Sequence, residues 1–243
     1  MKRGAAIVDP KDAAAIIGLA DLGPGMRVVE AGVGSGALTC SLLRAVGPAG
    51  SVTSIELRSD FAEIARSNVQ RWLGAMPEHW TLIEGAAEDH LADQEVEAVV
   101  LDLLAPWECT AGAFEALVPG GVFVAYVAST TQMSRLVETL RDQGGWTEPA
   151  ASETLLRGWH VQGLAVRPDH RMQGHTGFLV WARRLADGSP GLPRRVRPAH
   201  GAYGADYDGP GAAAGRRATG RDAASPVQDG NSSDAVPDNP VEQ

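Results

Sequence analysis

Residues 27–39 read Arg27-Val28-Val29-Glu30-Ala31-Gly32-Val33-Gly34-Ser35-Gly36-Ala37-Leu38-Thr39. Apolar residues run into an acid, a Gly-x-Gly-x-Gly turn follows, and the chain then takes on helical composition. In an open parallel sheet this pattern is the first strand, its tight turn and the first crossover helix. Glycines let the backbone turn sharply and approach a ligand, and the helix start offers partial positive charge. By itself the turn implies no more than a nucleotide-like ligand.

Three acids sharpen that reading. Glu30 stands at the end of the first strand, where its carboxylate suits a cationic amino-acid moiety. Dinucleotide-binding turns follow Gly-x-Gly-x-x-Gly and set phosphate there, which a carboxylate repels. Ser51-Val52-Thr53-Ser54-Ile55-Glu56 reads as a second strand ending in an acid suited to ribose hydroxyls. Val99-Val100-Leu101-Asp102 delivers a third acid to the same edge, where ligands of such sheets bind. Three acids around a glycine turn fit S-adenosylmethionine better than a nicotinamide dinucleotide.

The 243 residues suffice for one well-buried α/β domain. No apolar run approaches the roughly 20 residues that span a bilayer. The Met1-Lys2-Arg3-Gly4 start has no following apolar core of signal-peptide type. Cys40 and Cys109 lack metal-ligand spacing and read as buried thiols, so a cytoplasmic setting without metal is expected. A net charge of −9 argues against indiscriminate nucleic-acid binding, which needs clustered cations. Local groups of cations do occur: Lys2, Arg3 and Lys11 early, then Arg157, Arg167, Arg171, Arg183 and Arg184.

Along the chain, Asp9-Pro10-Lys11-Asp12 suits a helix start continued through Leu19. Helix is expected over 37–46, then from a cap at Asp60 through Leu73, over about 108–117 and over 130–142. Strands are expected at 51–56, 80–83, 98–102 and 122–127, the last entered by a turn at Pro119-Gly120-Gly121. Residues 151–166 and 177–184 read as two closing strands joined by a loop with His170, Arg171, Gly174 and His175. Alternating β and α units imply a parallel sheet, and the closing pair an antiparallel edge. Residues 1–185 are therefore read as one domain. Residues 186–243, dominated by Gly, Ala, Pro, Ser and Asp, are read as a disordered tail whose six arginines (Arg194, Arg195, Arg197, Arg216, Arg217 and Arg221) are solvated.

Several segments together carry a family resemblance. They are Pro10-Lys11-Asp12, Glu30 to Thr39, Leu101-Asp102-Leu103-Leu104-Ala105-Pro106-Trp107-Glu108, Thr131-Gln132, Arg157-Gly158-Trp159 and Gly174-His175-Thr176. In order and spacing they resemble the bacterial and archaeal tRNA (adenine-58-N1)-methyltransferases, with the actinobacterial members most alike, over residues 3 to about 185. The segment from Asp102 to Trp107, with Gly-His-Thr, is specific; the glycine turn is shared by most class I methyltransferases. The resemblance implies a class I, Rossmann-like, seven-stranded, mostly parallel sheet with an antiparallel C-terminal edge. It implies a homotetramer acting on tRNA. Gly32, Gly34, Ser35, Gly36, Ala37 and Leu38 resemble the family's cofactor turn, and Glu56 its ribose-binding acid. Glu88 resembles the acid near the cofactor's adenine, and Asp102 the active-site carboxylate, which also borders the cofactor. Two departures stand out. The family carries a small β domain before the position of Arg3-Gly4, and a tyrosine where this chain has Asp9, so weakened tRNA capture is expected.

The expected reaction is an in-line displacement in which adenine N1, which carries no proton, attacks a sulfonium methyl. Such a site must supply alignment and a negative field, not a base that removes a proton. Asp102 accepting from the adenine N6 amine would supply both, and Trp107 and Tyr126 are candidate stacking surfaces for a base taken out of its stack. Plainer roles stand beside these: Asp102 as a helix cap, Glu30 bonded to turn amides, Trp107 and Trp159 as packing, His170 and His175 as loop braces, Gln132 facing substrate or not. Alternatives are a class I methyltransferase with another substrate, a non-catalytic tRNA-binding subunit and, more remotely, a nicotinamide oxidoreductase.

Overall fold

The computed structural model describes residues 6–190. The expected tail therefore lies outside the described residues except for 186–190, as do Lys2, Arg3 and the tail arginines. Seven strands form one sheet: β1 (Arg27–Ala31), β2 (Ser51–Glu56), β3 (Trp80–Glu84), β4 (Val96–Leu101), β5 (Leu117–Val127), β6 (Ala150–Ser152) and β9 (Phe178–Arg183). The order is β3-β2-β1-β4-β5-β9-β6. β1 to β5 run parallel, and β9 pairs antiparallel with both β5 and β6. A separate antiparallel hairpin pairs β7 (Trp159–Gln162) with β8 (Ala165–Pro168).

Both sheet faces are covered, which is why β1 and β4 read as near-continuous apolar runs. On one face α1 (Pro10–Leu19) and α2 (Ala37–Val46) pack with Val28, Val52, Val100 and Val124, and α3 (Ser59–Leu73) adds Val69. On the other, α4 (Ala87–His90), a 3-10 turn (Pro106–Cys109), α5 (Thr110–Ala116) and α6 (Thr130–Gln143) cover Val29, Val99, Leu101 and Phe123. Adjacent strand residues point to opposite faces, so Glu30 shares the α1–α2 face with Val28.

The structure corrects four expectations. The α3 cap is the position of Arg58; Asp60 sits in the first turn, ion-paired with Arg58 at 2.7 Å. β5 starts at Leu117, because Val96 pairs with Leu117 before a register shift lets Ala98 pair with Val122. The Pro119-Gly120-Gly121 stretch is thus an irregularity inside a strand rather than a turn before one. The segment expected as helix from 108 begins as the 3-10 turn, with α5 starting only at Thr110. Residues 151–166 are not one strand: β6 ends at Ser152 and the chain leaves the sheet to build the β7–β8 hairpin.

Candidate functional site

The carboxyl ends of β1, β2 and β4 bring Glu30, Glu56 and Asp102 around the glycine turn. The turn is fitted to its place by two glycines. Gly32 has φ +86°, and a Cβ there would overlap the Asp102 carbonyl oxygen. Gly36 has φ +76°, and a Cβ would press on Ala65 and Val69 of α3 at 3.2–3.3 Å. Both the left-handed backbone and the lack of room exclude a side chain. Gly32 N donates to Ile55 O at 3.1 Å, and Asp102 N donates to Ala31 O at 2.9 Å, so the three strand ends are tied together. From behind, buried Asn68 donates its side-chain amide to Ser35 O at 2.9 Å. Ser35 itself is buried, with no hydrogen-bond partner for its hydroxyl among the described residues. Ala37 and Leu38 open α2, whose start no side chain caps. Unpaired amides at a helix start favour an anionic group.

Each acid has a different tether. Glu56, 6% exposed, accepts from Gly34 N at 2.9 Å with one oxygen and from Arg58 N at 3.0 Å with the other. It is therefore Glu56, not Glu30, that bonds the turn amides. Glu30, 2% exposed, accepts from Ser54 Oγ at 2.6 Å, and that hydroxyl accepts from Trp80 Nε1 at 2.7 Å. The relay crosses from β3 through β2 to β1. Burial pushes Glu30 up to about 7, against the hydrogen bond from Ser54. Asp102 follows β4 directly, and no donor among the described residues hydrogen-bonds its carboxylate; burial, then the nearby Glu56 charge, pushes it up to about 6. Among the described residues no Lys or Arg forms an ion pair with any of the three. The site is a largely buried cluster of acids without a counter-ion among the described residues, and a cationic ligand would favour the ionised form of each, an arrangement suited to such a ligand.

Glu88 stands apart. It is exposed on α4, and its carboxylate lies against the Cys109 thiol, which burial and Glu88 together push up to about 12. No group of three His, Cys, Asp or Glu residues among those described could hold a metal.

Sequence reasoning missed the partners that hold the rim. Lys11 Nζ lies 2.7 Å from Asp12 Oδ1 and 2.6 Å from Thr176 Oγ1, and Thr176 donates to Asp12 Oδ2 at 2.5 Å. The Pro-Lys-Asp and Gly-His-Thr segments, some 165 positions apart, thus form one cluster. The Tyr126 ring lies beside them against Gly177, where a Cβ would overlap it; burial raises its phenol, with Asp12, Asp102 and Asp9 adding to the effect. The Asp9 carboxylate caps α1 by accepting from Lys11 N at 3.2 Å. His175 bridges Glu153, at 3.1 Å, and the Ala128 carbonyl, at 3.2 Å, as a loop brace. Both ends of the Gln132 amide are held: Nε2 donates to Leu104 O at 2.9 Å, while Oε1 accepts from Ala128 N and Ser129 Oγ. It clamps the loops after β4 and β5 to one another. Trp107 packs on the core with Arg135 4.1 Å over its ring, and Trp159 lies exposed on the hairpin.

Residues 2–167 match the family described as "tRNA methyltransferase complex GCD14 subunit". The tRNA (adenine(58)-N(1))-methyltransferase TrmI of Thermus thermophilus is 39% identical over 189 residues, covering 76% of this chain and 71% of that protein. The chain belongs to this family. The tRNA (adenine(57)-N(1)/adenine(58)-N(1))-methyltransferase TrmI of Methanocaldococcus jannaschii is 34% identical over 208 residues, 75% of this chain and 73% of its own. Among solved structures, a SAM-dependent O-methyltransferase from Thermotoga maritima superposes with a TM-score of 0.72 at 30% identity, over 77% of this chain and 69% of its own. The tRNA (m1A58) methyltransferase TrmI of Aquifex aeolicus gives a TM-score of 0.69 over 76% of this chain and 72% of its own, and at 24% identity it speaks for the fold alone. The sheet order and these neighbours place the fold in the class I S-adenosylmethionine-dependent methyltransferases.

Proposed function

We propose that this chain transfers a methyl group from S-adenosylmethionine to N1 of adenine 58 in the T-loop of tRNA. The observation that carries this reading is the trio of buried Glu30 and Glu56 and half-buried Asp102, with no counter-ion among the described residues, around a close-packed glycine turn in a chain of this family. The trio and turn suit the donor, whose ammonium and sulfonium answer the negative field and whose carboxylate answers the uncapped start of α2. The donor supplies an activated methyl on sulfur; everything else falls to the protein. Glu56, Gly32, Gly34, Ser35, Gly36, Ala37 and Leu38 would bind it, with Glu88 beside its adenine and Glu30 toward its cationic end.

Asp102 is the catalytic residue of this reading. Its free carboxylate can accept from the adenine N6 amine, which turns N1 inward, and its charge offsets the positive charge the purine gains. The acid must be ionised for both tasks. With a value raised to about 6, activity falls as pH drops through that region. Asp102→Asn keeps the shape without the charge: turnover is expected to fall about 10²-fold or more, with donor affinity little changed and the acid limb of the pH profile lost. The direct test is incubation with labelled S-adenosylmethionine and unmodified tRNA, with the methylated nucleoside mapped. Absence of N1-methyladenosine at position 58 rejects the reading, and label on another base or on protein selects a different substrate.

The proposal extends to self-association and place. In the β7–β8 hairpin, cross-strand partners share a face, so Trp159, Val161, Val166 and Pro168 line one side and His160, Gln162, Ala165 and Arg167 the other. Trp159, Val161 and Val166 are exposed, as is Leu164 at the tip. Such an apolar side supports a homo-oligomer, a tetramer by family resemblance. The buried free thiols of Cys40 and Cys109 support a cytoplasmic setting, and among the described residues no helix is long and apolar enough to cross a membrane.

A further inference from the structure

The loop leaving Asp102 carries an exposed leucine that the fold does not use. Leu104 is 88% exposed, although its neighbours are engaged: Leu103 packs on the core and against the glycine turn, and Pro106 is buried. The backbone at this position is held. Gln132, at the start of α6, donates to the Leu104 carbonyl at 2.9 Å and is itself held by Ala128 N and by Ser129 Oγ, the α6 cap. A clamp across the loops after β4 and β5 thus fixes the backbone that carries this exposed apolar side chain, two residues along the chain from the free carboxylate of Asp102.

We infer that Leu104 is the apolar contact for the face of the extruded adenine, and that Gln132 is the positioning residue that holds it there. The inference rests on the reading of the site as an adenine N1-methyltransferase. A base gripped only by its edge can still tilt about that edge, and an in-line attack from N1 requires the ring plane to be fixed. Asp102 can supply the edge contact; a face contact must come from elsewhere. The aromatic candidates are encumbered or set back. Trp107 is covered by Arg135 on one side and packed on the core, Tyr126 is half-buried against Gly177, and position 9 carries a carboxylate. Leu104, two positions after Asp102 on the loop leaving β4, is a large apolar side chain left open to solvent.

The test compares the full chain with Leu104→Ser, Leu104→Met, Gln132→Ala and Leu104→Ser/Gln132→Ala, measuring single-turnover methylation over a range of tRNA concentrations, S-adenosylmethionine affinity by calorimetry and oligomeric mass by light scattering. Leu104→Ser should lose about tenfold or more in kcat/KM for tRNA, with donor affinity and mass unchanged, and Leu104→Met should recover most of that loss. Gln132→Ala should lose less than Leu104→Ser, and the double variant should be no worse than Leu104→Ser, because Gln132 acts through the leucine. Leu104→Ser within twofold of the parent overturns the inference while the proposed function stands. So does a loss that tracks donor affinity, or a change in mass that makes Leu104 a contact between copies. If the parent chain forms no N1-methyladenosine at all, the proposed function fails and this inference with it.

Discussion

At the scale of single residues, Glu30 sets ligand binding against stability. Its ordinary value is 4.5 and burial lifts it to about 7 in the fold, so between those values the folded chain holds a proton that the unfolded chain has released. Protons bound preferentially by the fold stabilise it at low pH, and that contribution fades as pH rises through 7; Asp102, raised to about 6, acts in the same direction. Glu30→Gln keeps an oxygen for Ser54 and removes the charge. The ligand-free variant is expected to melt above the parent at pH 8, with the gap closing toward pH 5, while S-adenosylmethionine affinity falls at pH 8. Thermal melts across that range check it, and a gap that does not vary with pH would mean Glu30 ionises normally. Gly32 gives the opposite kind of prediction. Gly32→Ala meets the Asp102 carbonyl with backbone at φ +86°, so the chain should lose stability by more than about 2 kcal/mol and accumulate as aggregate, read by denaturant unfolding. The need for these residue types was legible because an acid before a Gly-x-Gly-x-Gly turn has few plain explanations. Their tethers were not legible: that Glu56 takes the Gly34 amide and Glu30 the Ser54 hydroxyl depends on the register of β1 against β2, which pairs Glu30 with Ser54.

At the scale of elements, the alternating strands and helices of residues 10–143 followed from apolar periodicity, whereas irregular joins did not. β5 begins five residues before its expected start because pairing with β4 carries the ladder through Pro119 and two glycines, which local propensity reads as a turn. α1 shows how one residue can serve an element and a site at once. Asp9 caps it, with Pro10 opening the helix, at the position where the family resemblance places a tyrosine. Asp9→Tyr is therefore expected to act in two directions. Loss of the cap removes about 0.5–2 kcal/mol of stability. An added ring next to Tyr126 and the loss of a charge that repels phosphate should tighten tRNA binding by about fivefold or more. Melting temperature and tRNA affinity, measured on the same variant, separate the two. A variant with lower stability and unaltered tRNA affinity would leave Asp9 as a cap alone.

At the scale of the whole molecule, the sheet puts its chemistry at one edge, and the β7–β8 hairpin stands outside both hydrophobic clusters. Its segment read as plain strand from composition because Trp159, Val161 and Val166 have strand-forming side chains. What composition could not show is that these residues leave the sheet and present their apolar side to water. Two-stranded hairpins are marginal alone, and an apolar side of this kind is ordinarily covered. A second copy of the chain is the occupant consistent with the family resemblance. The hairpin lies away from the acid trio in sequence and pairing, so its disruption should leave donor binding intact while abolishing assembly. Val161 and Val166 face one another across the strands, and the double change Val161→Lys/Val166→Lys places two like charges side by side on that face. The parent chain is expected to sediment as an oligomer at micromolar concentration and the double variant as a monomer, with S-adenosylmethionine affinity within about twofold of the parent. A parent that sediments as a monomer rejects the assembly outright. A variant that stays oligomeric moves the contact to another surface and leaves the hairpin's apolar side to a different partner.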